Sequence, residues 1–177
     1  ANKVWNASRF VAMNLEGQKR EEDLLKLNLD ISDRWILSRL NGVIRDVTEN
    51  LEKFELGLAT AKIYDFIWSE YCDWYIELVK FRLWGEDEED KKVVRFTLVM
   101  CLKNMLKLLH PFMPFITEEI WSFLPHGEEQ ADNPENYLIK SNWPKYSLAC
   151  VFPKAEKTIE KAMEAIRAIR NIRAEAE

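Results

Sequence analysis

Apolar and polar positions recur along this chain with a helical period, most clearly over residues 61–80. At 3.6 residues per turn the charged side chains of that segment collect on one side, and large apolar side chains fill the rest. An apolar arc of this width has to be covered on several sides. The segment also lacks glycine and proline. We therefore expect it to form the central helix of a bundle.

The same period predicts further helices on either side of this segment. They are expected over residues 2–15, 33–53 (with Ser32 as its N-cap), 91–109, 115–124 and from 155 onward. The sequence HPFMP at 110–114 separates two of these helices, because a proline disfavours helix in the residue before it. Residues 16–28 and 125–136 are predicted loops and 137–144 a short extended piece, while Gly57 gives the chain freedom to turn into the central helix.

These elements predict an all-α fold: a helical bundle of about five helices in residues 1–147, then a linker and a helical extension in residues 148–177. The 47% of hydrophobic residues is enough for a sizeable core. No apolar run reaches the ~18–20 residues that a membrane span needs. Both ends of the sequence lie inside helical patterns, so we expect a fragment excised from a longer protein.

Charge and cysteine content narrow the possible functions. A net charge of −5 argues against a general nucleic-acid binder, although a local basic or aromatic patch can still bind RNA. Cys72, Cys101 and Cys150 are odd in number and far apart, which is typical of reduced thiols in a cytoplasmic protein. No CxxC or paired-histidine spacing predicts a metal site.

The sequence contains no constellation that would predict catalysis. A glycine-rich phosphate loop is missing, and the acidic residues fall in loops or on predicted solvated faces. His110 has neither a second histidine nor a nucleophile beside it in the sequence. Residue chemistry alone therefore predicts a helical bundle that acts as an accessory module.

Two stretches carry residues suited to RNA. On the first helix, polar side chains lie opposite the apolar face, beside two aromatic residues; they are Asn2, Asn6 and Arg9, beside Trp5 and Phe10. Amides can read base edges, arginine can hold phosphate, and aromatic rings stack on bases. The alternative is that the aromatic rings pack into the bundle and the amides are only solvated. At the start of the second long helix, Trp35 beside Arg34 is either a base-stacking ring or a ring that closes the end of the core.

Four segments follow one another across residues 2–144 and read NKVWNASRF, SDRWILSRL, IWSEYCDWYIELVK and LLHPFMPFITEEIW. In sequence and in order they resemble one family, the anticodon-binding domain of class I aminoacyl-tRNA synthetases. The resemblance is to the branch for valine, isoleucine and leucine. NASRF, EYCDWY and the terminal AIRNIRAE are most similar to the valyl-tRNA synthetases, and the isoleucyl enzymes are the alternative.

The resemblance implies a role for the chain within a larger ligase. The whole enzyme would use ATP and Mg²⁺ to join valine to its tRNA, but HIGH-like and KMSKS-like catalytic signatures do not occur in this sequence. The chain is therefore expected to bind the anticodon end of valine tRNA. It would use no cofactor and would not catalyse the reaction alone. Its other partners would be the catalytic domain and the C-terminal arm of the same ligase. It would be a cytoplasmic monomer.

By the same resemblance, the anticodon contacts should fall on the first helix and the start of the second. The expected residues are Asn2, Lys3, Asn6, Arg9, Arg34 and Trp35. The tryptophan would stack on a splayed base, the three cations would neutralise phosphates, and the two asparagines would contact base edges. Valine anticodons end in cytosine where the common isoleucine ones end in uracil, so an acceptor must meet the cytosine amine. Asp33, an asparagine oxygen or a backbone carbonyl could supply it.

A helical protein-interaction module without an RNA role is the competing hypothesis. It predicts an exposed apolar patch on the first helix. An RNA-binding module instead leaves the polar side chains of that helix exposed together beside an aromatic ring.

Overall fold

The computed structural model describes residues 2–15, 27–125 and 136–175. Its helices are α1 (Asn2–Met13), α2 (Ile31–Glu52), α3 (Leu56–Asp65), α4 (Ile76–Leu83), α5 (Glu88–Leu109), α6 (Pro114–Ser122) and α7 (Pro153–Glu175). The other elements are a π-helical segment, Phe66–Tyr75, and two short 3₁₀ turns, Leu138–Lys140 and Leu148–Cys150. These described ranges contain no strand, which confirms the all-α prediction.

The predicted central helix is present and longer than expected. The helix α3, the π-helical segment and α4 follow each other without a break, and they form one helix over residues 56–83. The backbone stays helical at both junctions, with φ −61° and ψ −50° at Phe66 and φ −56° and ψ −44° at Ile76. This central helix contacts α1, α2 and α5. Covering its wide apolar arc thus takes three neighbouring helices.

The π-helical segment widens the central helix where polar groups of two neighbours meet it. A π-helix closes its rings with i→i+5 hydrogen bonds and is rare in proteins. On one side, the Lys3 ammonium of α1 donates to the Trp68 carbonyl oxygen over 3.4 Å. On another side, the buried Tyr71 hydroxyl donates to the Leu98 carbonyl oxygen of α5 over 2.9 Å. The segment is therefore fixed to both neighbours by hydrogen bonds as well as by apolar packing.

The N-cap of α2 is Asp30, so the prediction of Ser32 was wrong. The Asp30 carboxylate accepts a hydrogen bond from the Ser32 backbone N–H over 3.0 Å. The Asp33 carboxylate reaches back to the Asp30 backbone N–H, also over 3.0 Å, and completes a capping box. Ser32 instead donates its hydroxyl to the Asp30 carboxylate over 2.9 Å. Because the capping box formed by Asp30 and Asp33 satisfies the first free amides, the helix begins at Ile31.

Replacing Asp30 with alanine should destabilise the fold by about 1 kcal/mol at neutral pH, because the N-cap is lost. Burial opposes ionisation of this carboxyl, but hydrogen bonds from Ser32 and the charge of Arg82 outweigh it and hold its pKa below 3.8. The cap's contribution is therefore present above the unfolded-state pKa and is lost as pH falls through the folded-state pKa. Urea unfolding of the parent chain and of the Asp30→Ala variant, measured from acid to neutral pH, tests this prediction. A difference between their free energies of unfolding that stays constant down to the lowest pH would contradict it.

A buried ion pair ties α2 to the central helix. The Asp33 carboxylate is fully buried and receives both Nη atoms of Arg82 at 3.0 Å. The Tyr75 hydroxyl donates to the same carboxylate over 2.7 Å. The Arg82 Nε atom also reaches Asp90 of α5 at 3.0 Å. Residues from three helices thus satisfy one another's charges in the core.

Of two turns predicted from the sequence, one is present as expected and the other lies at a different residue. The break at 110–114 is present, and the His110 Nδ1 atom lies 2.8 Å from the Thr117 hydroxyl, consistent with the structural role expected for this histidine. The left-handed backbone before the central helix occurs at Phe54, with φ 59°, whereas Gly57 already lies inside α3. The freedom assigned to Gly57 was therefore placed three residues too late along the chain.

The segment after α6 is compact where it is described. Residues 137–144 contain a 3₁₀ turn, Leu138–Lys140, with extended backbone at Tyr137 before it and at Ser141 after it. The Leu138 side chain is buried, and its N–H donates to Glu118 over 2.7 Å. The short extended piece predicted for this segment is thus interrupted by the turn. Most of the predicted loops at 16–28 and 125–136 lies outside the described residues.

The helix α7 buries apolar side chains in the bundle along its first half only. Ala155, Ile159 and Met163 are buried in the common core, against α2. Beyond Ile166 every described side chain is exposed. Packing thus continues past residue 148, and the domain division at that point stays a prediction. Over the described ranges, no helix combines the length and the apolar character needed to cross a membrane.

Candidate nucleic-acid interface

The helix α1 presents a polar face to solvent. Its core side is formed by Val4, Ala7 and Val11, which are buried. Asn2, Asn6 and Arg9 are exposed on the opposite side. Spacings of four and three residues place these side chains on one face of the helix.

Aromatic rings border this polar face but are partly packed. The Trp5 ring is half-buried and meets Phe123 edge to face, with 5.9 Å between the ring centroids. Phe10 is also half-buried against the core. The exposed amides and guanidinium therefore lie together beside an aromatic ring, which is the arrangement that the RNA-binding hypothesis predicts. The aromatic rings serve packing as well, as the alternative proposed.

Lys3 is already engaged within the protein. Its ammonium forms an ion pair with Asp73 at 2.6 Å and lies 5.2 Å from the centroid of the Trp68 ring. The Trp68 ring in turn stacks on Tyr64, with 4.5 Å between centroids. Lys3 therefore joins α1 to the π-helical segment, and its charge is largely compensated there. Contact with a phosphate would have to compete with Asp73.

The structure does not support base stacking by Trp35. Only 1% of this residue is exposed, because it is packed in the core on the inner side of α2. The core-closing interpretation of this residue is therefore the one that the structure supports. Sequence periodicity could not decide the matter, since a ring in the first turn of a helix can face either way.

Arg34 is exposed at the start of α2. It lines a surface cavity of about 700 Å³ between the start of α2 and residues 151–158, and no α1 residue lines that cavity. Asn2, Asn6 and Arg9 lie together on α1.

Asp33 is excluded as the acceptor that reads cytosine. Its carboxylate is fully buried and is occupied by Arg82 and Tyr75. A base could reach it only by dismantling that network, which would leave a buried charge unpaired. An asparagine oxygen or a backbone carbonyl remains as the acceptor, and Asn2 and Asn6 are exposed.

A second polar surface, which the sequence did not reveal, lies beside the π-helical segment. A cavity of about 500 Å³ separates that segment from α7. Its lining residues are Ser69, Cys72, Asp73, Trp74, Glu77, Arg167 and Arg170. Since Asp73 also binds Lys3, this cavity adjoins the α1 helix. The sequence signal for this surface was the arginines that recur on α7. It could not show their partner, Trp74, which is distant in sequence.

The described residues contain no group of metal-ligating side chains, and the cysteines are unpaired thiols. Burial raises the pKa of Cys72 to about 11, an effect that the nearby Lys3 charge opposes. It also raises the pKa of the fully buried Cys101 well above its usual value. Thiols with raised pKa values are poor nucleophiles at neutral pH. The groups that the α1 face offers for binding are its exposed amides and guanidinium group.

A comparison with known protein families identifies the family to which this chain belongs. A family model described as the anticodon-binding domain of tRNA ligases matches residues 33–177. The chain belongs to this family. The anticodon-binding domain predicted from the four sequence segments is thereby confirmed. The helix α1 lies before the matched residues.

Close relatives extend the similarity of this anticodon-binding domain to α1. The chain is 48% identical to a valine–tRNA ligase of Listeria innocua over 98% of its length. It is 51% identical to that of Clostridium tetani over 99%, and 48% identical to that of Oceanobacillus iheyensis over 100%. The chain spans 19% of the length of each of these curated relatives.

A solved structure shares the fold of this anticodon-binding domain. It is a LeuRS of Agrobacterium radiobacter K84, crystallised as a ternary complex with tRNA and LeuAMS. The TM-score is 0.60 at 21% sequence identity, over 85% of this chain and 16% of the other. At this identity the likeness shows the fold alone.

Proposed function

We propose that this anticodon-binding domain serves a valine–tRNA ligase and holds the anticodon end of valine tRNA. The observation that supports it most is the exposed face of Asn2, Asn6 and Arg9 on α1, in a chain about half identical to valine–tRNA ligases over 98–100% of its length. These relatives do not favour the isoleucine alternative.

In this proposal the chain binds RNA and leaves the chemistry to another domain of the ligase. ATP-dependent esterification of valine, with its Mg²⁺, is assigned to the catalytic domain. The binding module itself would be a monomer in the cytoplasm, contacting the catalytic domain and the C-terminal arm of its own ligase.

The asparagines of α1 are proposed to read the anticodon. The amide oxygen of Asn6 would accept from the exocyclic amine of the cytosine in the valine anticodon, and Asn2, one turn earlier on the same face, would contact another base edge. Uracil carries a carbonyl at that position, so one polar group would be left unsatisfied, at a cost of about 1–3 kcal/mol. Arg9 lies one turn beyond Asn6 and would hold a neighbouring phosphate.

The proposal is tested by binding of the chain to valine tRNA and to the same tRNA carrying an isoleucine anticodon. Affinity for valine tRNA should be about 5- to 150-fold higher, which corresponds to the 1–3 kcal/mol of one unsatisfied group. Equal affinities at every salt concentration would leave only attraction to the phosphate backbone and would contradict anticodon reading.

Replacing Asn6 with alanine should reduce this discrimination at least threefold, while the free energy of unfolding changes by no more than about 0.5 kcal/mol because the side chain is exposed. The ratio of the two dissociation constants is the measurement. Asn142→Ala is the matched control, since Asn142 is also exposed but lies in the segment after α6 and not on α1. An unchanged ratio in Asn6→Ala would remove Asn6 from base reading.

A further inference from the structure

Two arginines of α7 lie against a single aromatic ring. The Arg167 Cζ atom is 5.5 Å from the centroid of the Trp74 ring, and the Arg170 Cζ atom is 5.6 Å from it. The ring belongs to the π-helical segment and is only 9% exposed. The two arginines are one helical turn apart and exposed. Cation–π contact with Trp74 therefore fixes both guanidinium groups at the mouth of one cavity.

Within the described residues, neither guanidinium forms an ion pair, although two carboxylates line the same cavity. Asp73 is paired with Lys3 at 2.6 Å, and Glu77 with Lys80 at 2.5 Å. The negative charges of the cavity are thus compensated by lysines. The two arginines contribute uncompensated positive charge and N–H donors to a space of about 500 Å³.

We propose that Arg167 and Arg170, held on Trp74, form a binding site for phosphate groups of the tRNA backbone. This inference rests on the proposed function, because it takes the bound polyanion to be the tRNA. Guanidinium groups match the geometry of phosphate oxygens and form paired hydrogen bonds with them. A base is a poorer occupant, since both arginines already lie over the Trp74 ring on which a base would stack.

The position of the site supports an RNA backbone as its occupant. Asp73 lines the cavity and also binds Lys3, so the site adjoins the α1 helix that carries the exposed asparagines. The chain has a net charge of −5 and repels RNA on average, so local positive charge is needed to hold the ligand in register. Phosphate contacts position a nucleic acid without reading its sequence. The site would thus orient the tRNA while α1 reads the anticodon.

The test is the salt dependence of valine tRNA binding by the chain and by its Arg167→Gln/Arg170→Gln variant. Each neutralised phosphate contributes about 0.7–0.9 to the slope of log affinity against log salt. The variant should therefore lose about 1.4–1.8 of the slope. Between about 50 mM and 200 mM salt, its affinity should fall about 7- to 12-fold less than that of the parent chain. Preference for the valine anticodon should be unchanged.

The matched control is Lys157→Gln/Lys161→Gln, which also removes two exposed positive charges from α7. These lysines lie about 80–180° around the helix from the two arginines. The control should keep the parent slope. Equal slopes in the parent and the arginine variant, or an equal loss in both variants, would overturn the phosphate site. Circular dichroism confirms that each variant is folded.

Failure of this inference is distinguishable from failure of the proposed function. If the parent chain prefers the valine anticodon but the arginine variant keeps the full slope, the phosphate site is wrong and the proposed function stands. If the parent chain binds both tRNAs equally, anticodon reading is wrong. If, in that case, the slope of log affinity against log salt still falls only in the arginine variant, the two arginines bind phosphates of RNA whatever its anticodon.

Discussion

Replacing Trp35 with alanine is expected to lower the free energy of unfolding by about 3–5 kcal/mol. The residue is only 1% exposed, so truncation removes a large apolar surface from the core and leaves a cavity that its neighbours fill only partly. Urea unfolding followed by circular dichroism measures the change. Trp84→Ala is the matched control, because Trp84 is 71% exposed and its loss should change stability by about 0.5 kcal/mol or less.

The same variant separates the two roles considered for this ring. A core role predicts a large loss of stability. Stacking on a base predicts unchanged stability and tRNA binding weakened by about 1–3 kcal/mol. The second result would contradict the buried position of Trp35. Trp35→Phe should lose less stability than Trp35→Ala, because it keeps an aromatic ring in the site.

Replacing Asp33 with asparagine should lower the free energy of unfolding by a similar amount, about 3–5 kcal/mol. The substitution keeps the shape of the side chain but removes the charge that faces both Nη atoms of Arg82 at 3.0 Å. The asparagine amide would place N–H donors opposite the N–H donors of Arg82, where the carboxylate oxygens now accept. The Arg82 side chain is only 6% exposed, so water cannot replace the lost partner.

Glu89→Gln is the matched control for this substitution. It makes the same acid-to-amide change in an ion pair with Lys92 at 2.5 Å, in which the Glu89 side chain is 82% exposed. Exposed pairs contribute about 0–1 kcal/mol, so its effect should be small. Equal effects of the two substitutions would show that the Asp33 network does not stabilise the core. A large effect of Asp33→Asn alone confirms that this acid is structural.

Much of the fold could be predicted from the sequence because it depends on periodicity. The apolar face of the 61–80 segment and the prolines at 110–114 act locally, and the predicted elements there are present. The π-helical segment was not predicted, because its residues show no apolar pattern distinct from that of an α-helix. The polar face of α1 was likewise predicted from residue spacing, and its side chains are exposed in the structure.

The parts of the site that were missed depend on contacts between residues distant in sequence. Whether Trp35 faces the core depends on which helices cover the start of α2. The role of Asp33 depends on Arg82, which lies 49 residues further along the chain. Arg167 and Arg170 meet Trp74 only because α7 folds back over the π-helical segment. Spacing along the sequence carries no information about such pairs.

Anticodon reading by α1 is tested most directly with isolated anticodon stem-loop hairpins, which lack every other part of the tRNA. The chain is titrated with a valine hairpin and with one differing only in the anticodon, both at the same ionic strength. If α1 reads the anticodon, the valine hairpin should bind about 5- to 150-fold more tightly, the equivalent of about 1–3 kcal/mol, and Asn6→Ala should reduce the ratio of the two affinities. Equal binding of both hairpins at low and high salt would contradict it.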